Sequence, residues 1–89
     1  MKTMIQWSFS SGTYSEGMDI FLETGAPSPD GVKTIGRWHA PGSKYGFHLV
    51  EGDPAAVATL AAQWSPLVDL TLTPVIDDDE AKTALTRAR

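Results

Sequence analysis

The sequence predicts an α+β domain whose elements run β-α-β-β-α-β and close with a short helix. Three observations predict it. Two segments alternate polar and apolar residues with period 2 and two more flank a short Pro-Gly loop as a hairpin would; two others repeat apolar residues at helical spacing; and clusters of Gly, Pro, Ser and Asp separate them. In Met4-Ile5-Gln6-Trp7-Ser8-Phe9 the alternation puts Ile5, Trp7 and Phe9 on one face of a first strand and Met4, Gln6 and Ser8 on the other. After Ser10-Ser11-Gly12, residues Tyr14, Met18, Phe21 and Leu22 recur at i, i+4, i+7 and i+8. That is the stripe of an amphipathic helix with Ser11 or Thr13 as N-cap and Gly25 as its end. Ala26-Pro27-Ser28-Pro29-Asp30-Gly31 is turn chemistry, with two prolines lacking a donor and an Asp-Gly pair suited to positive φ.

Val32 to His39 and Lys44 to Glu51 read as the second and third strands, a hairpin joined through Ala40-Pro41-Gly42-Ser43. Asp53 as N-cap and Pro54 at the first helical position start a second helix, which carries Val57, Leu60, Ala61 and Trp64 on one stripe before Pro66 closes it. Val68, Leu70 and Leu72 alternate with Asp69, Thr71 and Thr73 in a fourth strand that Pro74 either ends or moves to a sheet edge. Asp77-Asp78-Asp79-Glu80 ahead of Lys82, Arg87 and Arg89 matches the dipole of a terminal helix. This order is the split-βαβ, ferredoxin-like arrangement, a four-stranded antiparallel sheet with both helices on one face.

Residues 1–89 make one domain, since a second core would need roughly another 100 residues. A folded monomer of this size buries only about 60% of the surface its unfolded chain exposes. With no cysteine there is neither a disulfide nor a thiolate zinc site to compensate, so self-association into a homodimer is the expected staple. The net charge of −4 argues against a nucleic-acid partner bound by counterion release. The absence of any run of about 20 apolar residues argues against a membrane partner and for a cytoplasmic location. The two histidines lack metal-ligand spacing, and no glycine loop is built to cradle a phosphate, so neither metal nor cofactor is expected. No G-x-S-x-G elbow surrounds Ser8, Ser10 or Ser11.

A hairpin turning about Gly42 would place His39 opposite Tyr45, Trp38 opposite Gly46 and Gly36 opposite His48. In that register Ile35, Arg37, His39, Tyr45, Phe47 and Leu49 face the helices. The open face then gathers Met4, Gln6, Ser8, Trp38, His48, Asp69, Thr71 and Thr73. One large aromatic, an imidazole and several neutral hydrogen-bonding groups suit the lining of a small-molecule cavity. The candidate ligand-binding residues are therefore Gln6, Trp38, His39 and His48, with His39 at the mouth and either histidine able to serve as base or donor near neutral pH. The same residues also suit a solvated sheet face and two packed histidines. Trp7 and Trp64 are assigned to the core, and Arg37 to a surface pair with Glu51 or Asp19.

Lys44-Tyr45-Gly46-Phe47 is similar to part of the third-strand signature of the RNA-recognition domain. Lys44 stands where that signature has glycine, and Val50 where it has an aromatic; in this register its aromatics also face the helices rather than the open sheet. The closer resemblance runs through Gly31-Val32-Lys33, Gly36-Arg37-Trp38-His39-Ala40-Pro41-Gly42, Gly46-Phe47, Val50-Glu51, Trp64 and Thr73-Pro74-Val75. These segments resemble a small bacterial family, a domain of unknown function, within the dimeric α/β-barrel superfamily. The resemblance implies a homodimer that buries the open sheet face and binds a small organic molecule in a barrel cavity. It leaves catalysis open. The alternative it implies is a cofactor-independent monooxygenase-like, haem-degrading-like or isomerase-like enzyme. The haem-degrading members use a strand-one amide, a Trp and a His, for which Gln6, Trp38 and His48 offer similar residue types.

Overall fold

The computed structural model describes all 89 residues, Met1–Arg89. The expected strand segments form β1 (Lys2–Phe9), β2 (Val32–His39), β3 (Tyr45–Gly52) and β4 (Val68–Val75), and the helical stripes form α1 (Tyr14–Thr24) and α2 (Pro54–Trp64). A third helix, α3 (Asp78–Ala88), follows. The strands make one antiparallel sheet in the order β2-β3-β1-β4, the ferredoxin-like topology. Pro74 does not end β4. It lies within the edge strand opposite Thr3, where its missing N–H breaks no interior ladder.

Local signals hold the helix ends. Asp53 accepts from the Ala56 amide at 3.0 Å with Pro54 behind it, and Asp77 and Glu80 form a reciprocal capping box at the start of α3. Gly25, at φ 72°, closes α1 by donating its amide to the Phe21 carbonyl at 2.8 Å. Thr13 occupies the N-cap position of α1, but its hydroxyl donates to the Leu67 carbonyl at 2.6 Å instead of capping. That bond ties the start of α1 to the connection leading into β4. No helix is long and apolar enough to cross a membrane.

The core is small. Ile5, Val50, Val57 and Leu60 pack together, with Val32, Trp64 and Leu70 against them, and only nine residues are buried in all. The Thr3 hydroxyl is among the buried groups and has no partner, a further cost to a thin core. α3 buries no residue; Leu85 on it and Ile76 in the connection before it stand exposed. Lys2 reaches Asp77, Glu80 and Glu51 at 3.4, 3.5 and 3.8 Å. These pairs are solvent-accessible and add little stability.

The hairpin register corrects the expected faces. His39 pairs with Gly46, Trp38 with Phe47, Arg37 with His48 and Gly36 with Leu49. The physical cause lies at both ends of the hairpin. Pro41 and Gly42 (φ 94°) form the turn, but Ser43 also adopts a left-handed φ of 61° and adds one residue before β3 resumes. A bulge between Thr34 and Gly36 removes the offset again, so Thr34 lies opposite Val50. Between turn and bulge the one-residue slip exchanges the faces of β3. Ile5 pairs with His48 and Trp7 with Gly46, so Gly46, His48 and Val50 lie under the helices with Ile5 and Trp7. Tyr45, Phe47 and Leu49 lie on the open face with Gln6 and Trp38.

Candidate functional site

Between the helix-covered face of the sheet and helices α1 and α2 lies a cavity of about 350 Å³ lined by 19 residues, 13 of them hydrophobic. Its existence follows from how α1 sits. Near its start α1 approaches the sheet through Gly17, where any Cβ would overlap the Phe9 ring. At its far end Arg37 holds the Gly25 and Ala26 carbonyls, donating from two guanidinium nitrogens at 2.9 Å each. Between those supports Met18, Phe21 and Leu22 line open space rather than a filled core. Trp7 and Phe9 from β1, Leu60, Ala61 and Trp64 from α2, and Leu70 from β4 form the remaining apolar walls. The Tyr14 hydroxyl, donating to the Gly42 carbonyl, anchors the β2–β3 turn at one end.

The polar end is built by adjacent positions of β2 and β3. Arg37 is half-buried, with its guanidinium carbon 5.3 Å from the centre of the Phe21 ring. The expected pair with Glu51 or Asp19 is absent, because the side chain turns under the sheet to the carboxyl end of α1. His39 sits at the mouth, edge-on to Trp7 and tilted on Phe21, with both ring centres 5.1 Å away. His48 is 6% exposed. Its Nε2 lies 2.8 Å from the Thr34 hydroxyl, which lies 2.9 Å from the Ser28 hydroxyl, while Nδ1 has no protein partner. Burial, reinforced by the Arg37 charge, pushes the His48 imidazole down from 6.5 to about 4, so it is neutral at pH 7.

That shift makes stability pH-dependent with a definite sign. Below about pH 6.5 the unfolded chain protonates this imidazole and the folded chain does not, so acid favours unfolding until about pH 4. Urea unfolding at pH 7 and at pH 5 should show the wild type losing about 2 kcal/mol more than His48→Gln over that interval. Equal losses in the two proteins would mean that His48 is protonated in the folded state.

The four residues singled out from sequence do not share one cavity. Gln6 and Trp38 lie on the open face, and Trp38 folds its ring over Gly36. His39 and His48 line the cavity on the opposite face. The barrel-cavity grouping of Gln6, Trp38, His39 and His48 is therefore not assembled within the chain, nor is the Gln6, Trp38 and His48 set compared above with haem-degrading enzymes. A one-residue register slip is the reason. Sequence reasoning missed Arg37, Tyr14, Trp7 and Trp64 as cavity groups. The apolar side of β1 and the stripe of α2 did mark the walls, but nothing local distinguishes a lined void from a filled core.

A family model described as Domain of unknown function (DUF3303) matches residues 1–89. No curated protein and no solved structure matches the chain significantly.

Proposed function

The chain belongs to the Domain of unknown function (DUF3303) family, which lends it no activity, and from its own geometry we propose that it binds a small, largely apolar molecule between sheet and helices. The cavity carries this reading: its 350 Å³ lies within the roughly 300–1,000 Å³ of small-molecule sites. Its walls are aromatic and aliphatic, and its polar groups converge at one end, the pattern that fixes a ligand's orientation. The neutral probe N-phenyl-1-naphthylamine should bind with one site per chain. Ala61→Phe, which fills the space beside Trp64, should abolish binding while leaving the circular dichroism of the fold intact. Binding undiminished by Ala61→Phe, or no binding to the wild type, overturns the reading.

The proposal includes a homodimer formed through the open face of the sheet. Trp38, Tyr45 and Phe47 are 56%, 48% and 39% exposed there, and the thin core leaves the monomer short of buried apolar area. A cytoplasmic setting is part of the same proposal.

One observation favours a second reading, an isomerase-like proton-transfer enzyme. Ser28, Thr34 and His48 form a chain of hydroxyls ending on a neutral imidazole. When Nδ1 takes a proton from one carbon of a bound molecule, Nε2 passes its own to Thr34, Thr34 to Ser28 and Ser28 to water; the reverse relay then returns a proton from Nδ1 to another atom of the resulting enolate, completing the isomerisation. Between the two transfers the ring is neutral in its other tautomer, and no imidazolium forms beside Arg37.

A further inference from the structure

We infer that the cavity selects apolar molecules bearing one anionic head group, a carboxylate or an enolate, and that Arg37 seats that group. This rests on the cavity-binding reading and deepens it. Although the chain carries a net charge of −4, no Asp or Glu lines the cavity. The charged and titratable groups that face it are Arg37 and His39 from β2, His48 from β3 and Tyr14 from α1, while β1, β4 and α2 contribute none. Arg37 is the one permanent charge among them, and it has no ion pair.

Its polar partners are two backbone carbonyls, which occupy two of its five N–H donors. The partial negative charge at the end of α1 offsets only about half a unit charge. A half-buried cation facing apolar walls without a counterion is costly, and an anion in the cavity removes that cost. The site is also pre-organised. The Gly25 and Ala26 carbonyls and the Phe21 ring fix the guanidinium plane before any ligand arrives, so a carboxylate can engage it without ordering a flexible side chain. His48, opposite Arg37 in the ladder, adds an unpaired Nδ1, and His39 stands at the mouth.

Charge supplies the test. In competition with N-phenyl-1-naphthylamine, 1-naphthoate should bind about tenfold more tightly than 1-naphthamide, which has the same shape without the charge. Arg37→Met should erase that ratio by weakening the naphthoate alone. If the loss of the Gly25 and Ala26 contacts prevents Arg37→Met from folding, two wild-type measurements decide. One is the naphthoate-to-naphthamide ratio itself. The other is the His48 imidazole titration by NMR, whose midpoint should rise from about 4 when naphthoate sits beside Arg37. Equal affinity for the two compounds, or a preference that survives Arg37→Met, overturns the inference and leaves the cavity reading standing. Failure of the probe and both naphthyl compounds to bind overturns the cavity reading and the inference with it.

Discussion

Gly46→Val should leave the chain largely unfolded at room temperature, and even Gly46→Ala should cost about 3 kcal/mol, the upper end for overpacking. Gly46 lies mid-sheet on β3, between Trp7 of β1 and His39 of β2. A Cβ built there points into the Trp7 ring and against the Trp38 carbonyl oxygen, inside any permitted contact distance. The two obstacles differ. The Trp38 carbonyl belongs to backbone paired with β3 around this position and has nowhere to go, whereas the Trp7 ring, edge-on to His39, can shift only into the cavity it lines. With only nine buried residues, the domain has little stability to lose. Urea unfolding followed by tryptophan fluorescence measures the loss. Trp7→Leu combined with Gly46→Ala should recover part of it, because the ring is one of the two obstacles. A Gly46→Ala protein within about 0.5 kcal/mol of wild type would show that the Trp7 ring has room to withdraw.

Phe47→Asp should convert a dimer into a monomer. In sedimentation equilibrium at tens of micromolar the wild type is expected at twice 9.6 kDa and the variant at 9.6 kDa. Phe47 sits opposite both Trp38 and Gln6 across the open face, with the Tyr45 ring edge-on 6.5 Å away. Stable interfaces cover about 800 Å² per partner, and a central aromatic carries a large part of their energy. A carboxylate at that position would be desolvated in such an interface without a partner cation. A wild type that sediments only as monomer rejects the dimer. The corrected register gives that outcome a specific follow-up, since Tyr45 and Phe47 do lie on the open face as an RNA-stacking surface requires. The net charge of −4 still opposes a polyanion, and fluorescence anisotropy with a single-stranded RNA would decide.

How much of this was legible in sequence differs by scale. β2 has the bounds that its flanking turns predict, α2 starts on the Asp53-Pro54 signal and runs to Trp64, and the Gly25 terminator acts as read. These features rest on the chain's own backbone: a side-chain cap, a ring lacking a donor, a residue free to take positive φ. The faces of β3 were not legible, although its bounds nearly were. Ser43 in a left-handed conformation and the bulge beside Ile35 each shift pairing by one residue. Serine does not announce this as glycine would, whereas Gly36 beside the bulge is such a signal but does not say which way the register moves. Because side chains alternate with period 2, that small offset carried His48 under the helices and brought Phe47 into the open.

By itself the sequence determined the element order, the antiparallel ferredoxin-like sheet, the helix ends and the thinness of a cysteine-free core, because each follows from periodicity and composition within a few residues. Tertiary structure alone decided that Arg37 reaches the end of α1 rather than a surface carboxylate, and that His48 shares a hydroxyl chain with Thr34 and Ser28. It also decided that α1, propped at Gly17 and at Gly25, leaves a void above the sheet. Those outcomes depend on how elements distant in sequence are spaced, and the hydrophobic effect that drives them together has no direction of its own. Only the completed register and the few close contacts at Gly17, Gly46 and Arg37 set which side chains meet and where space remains.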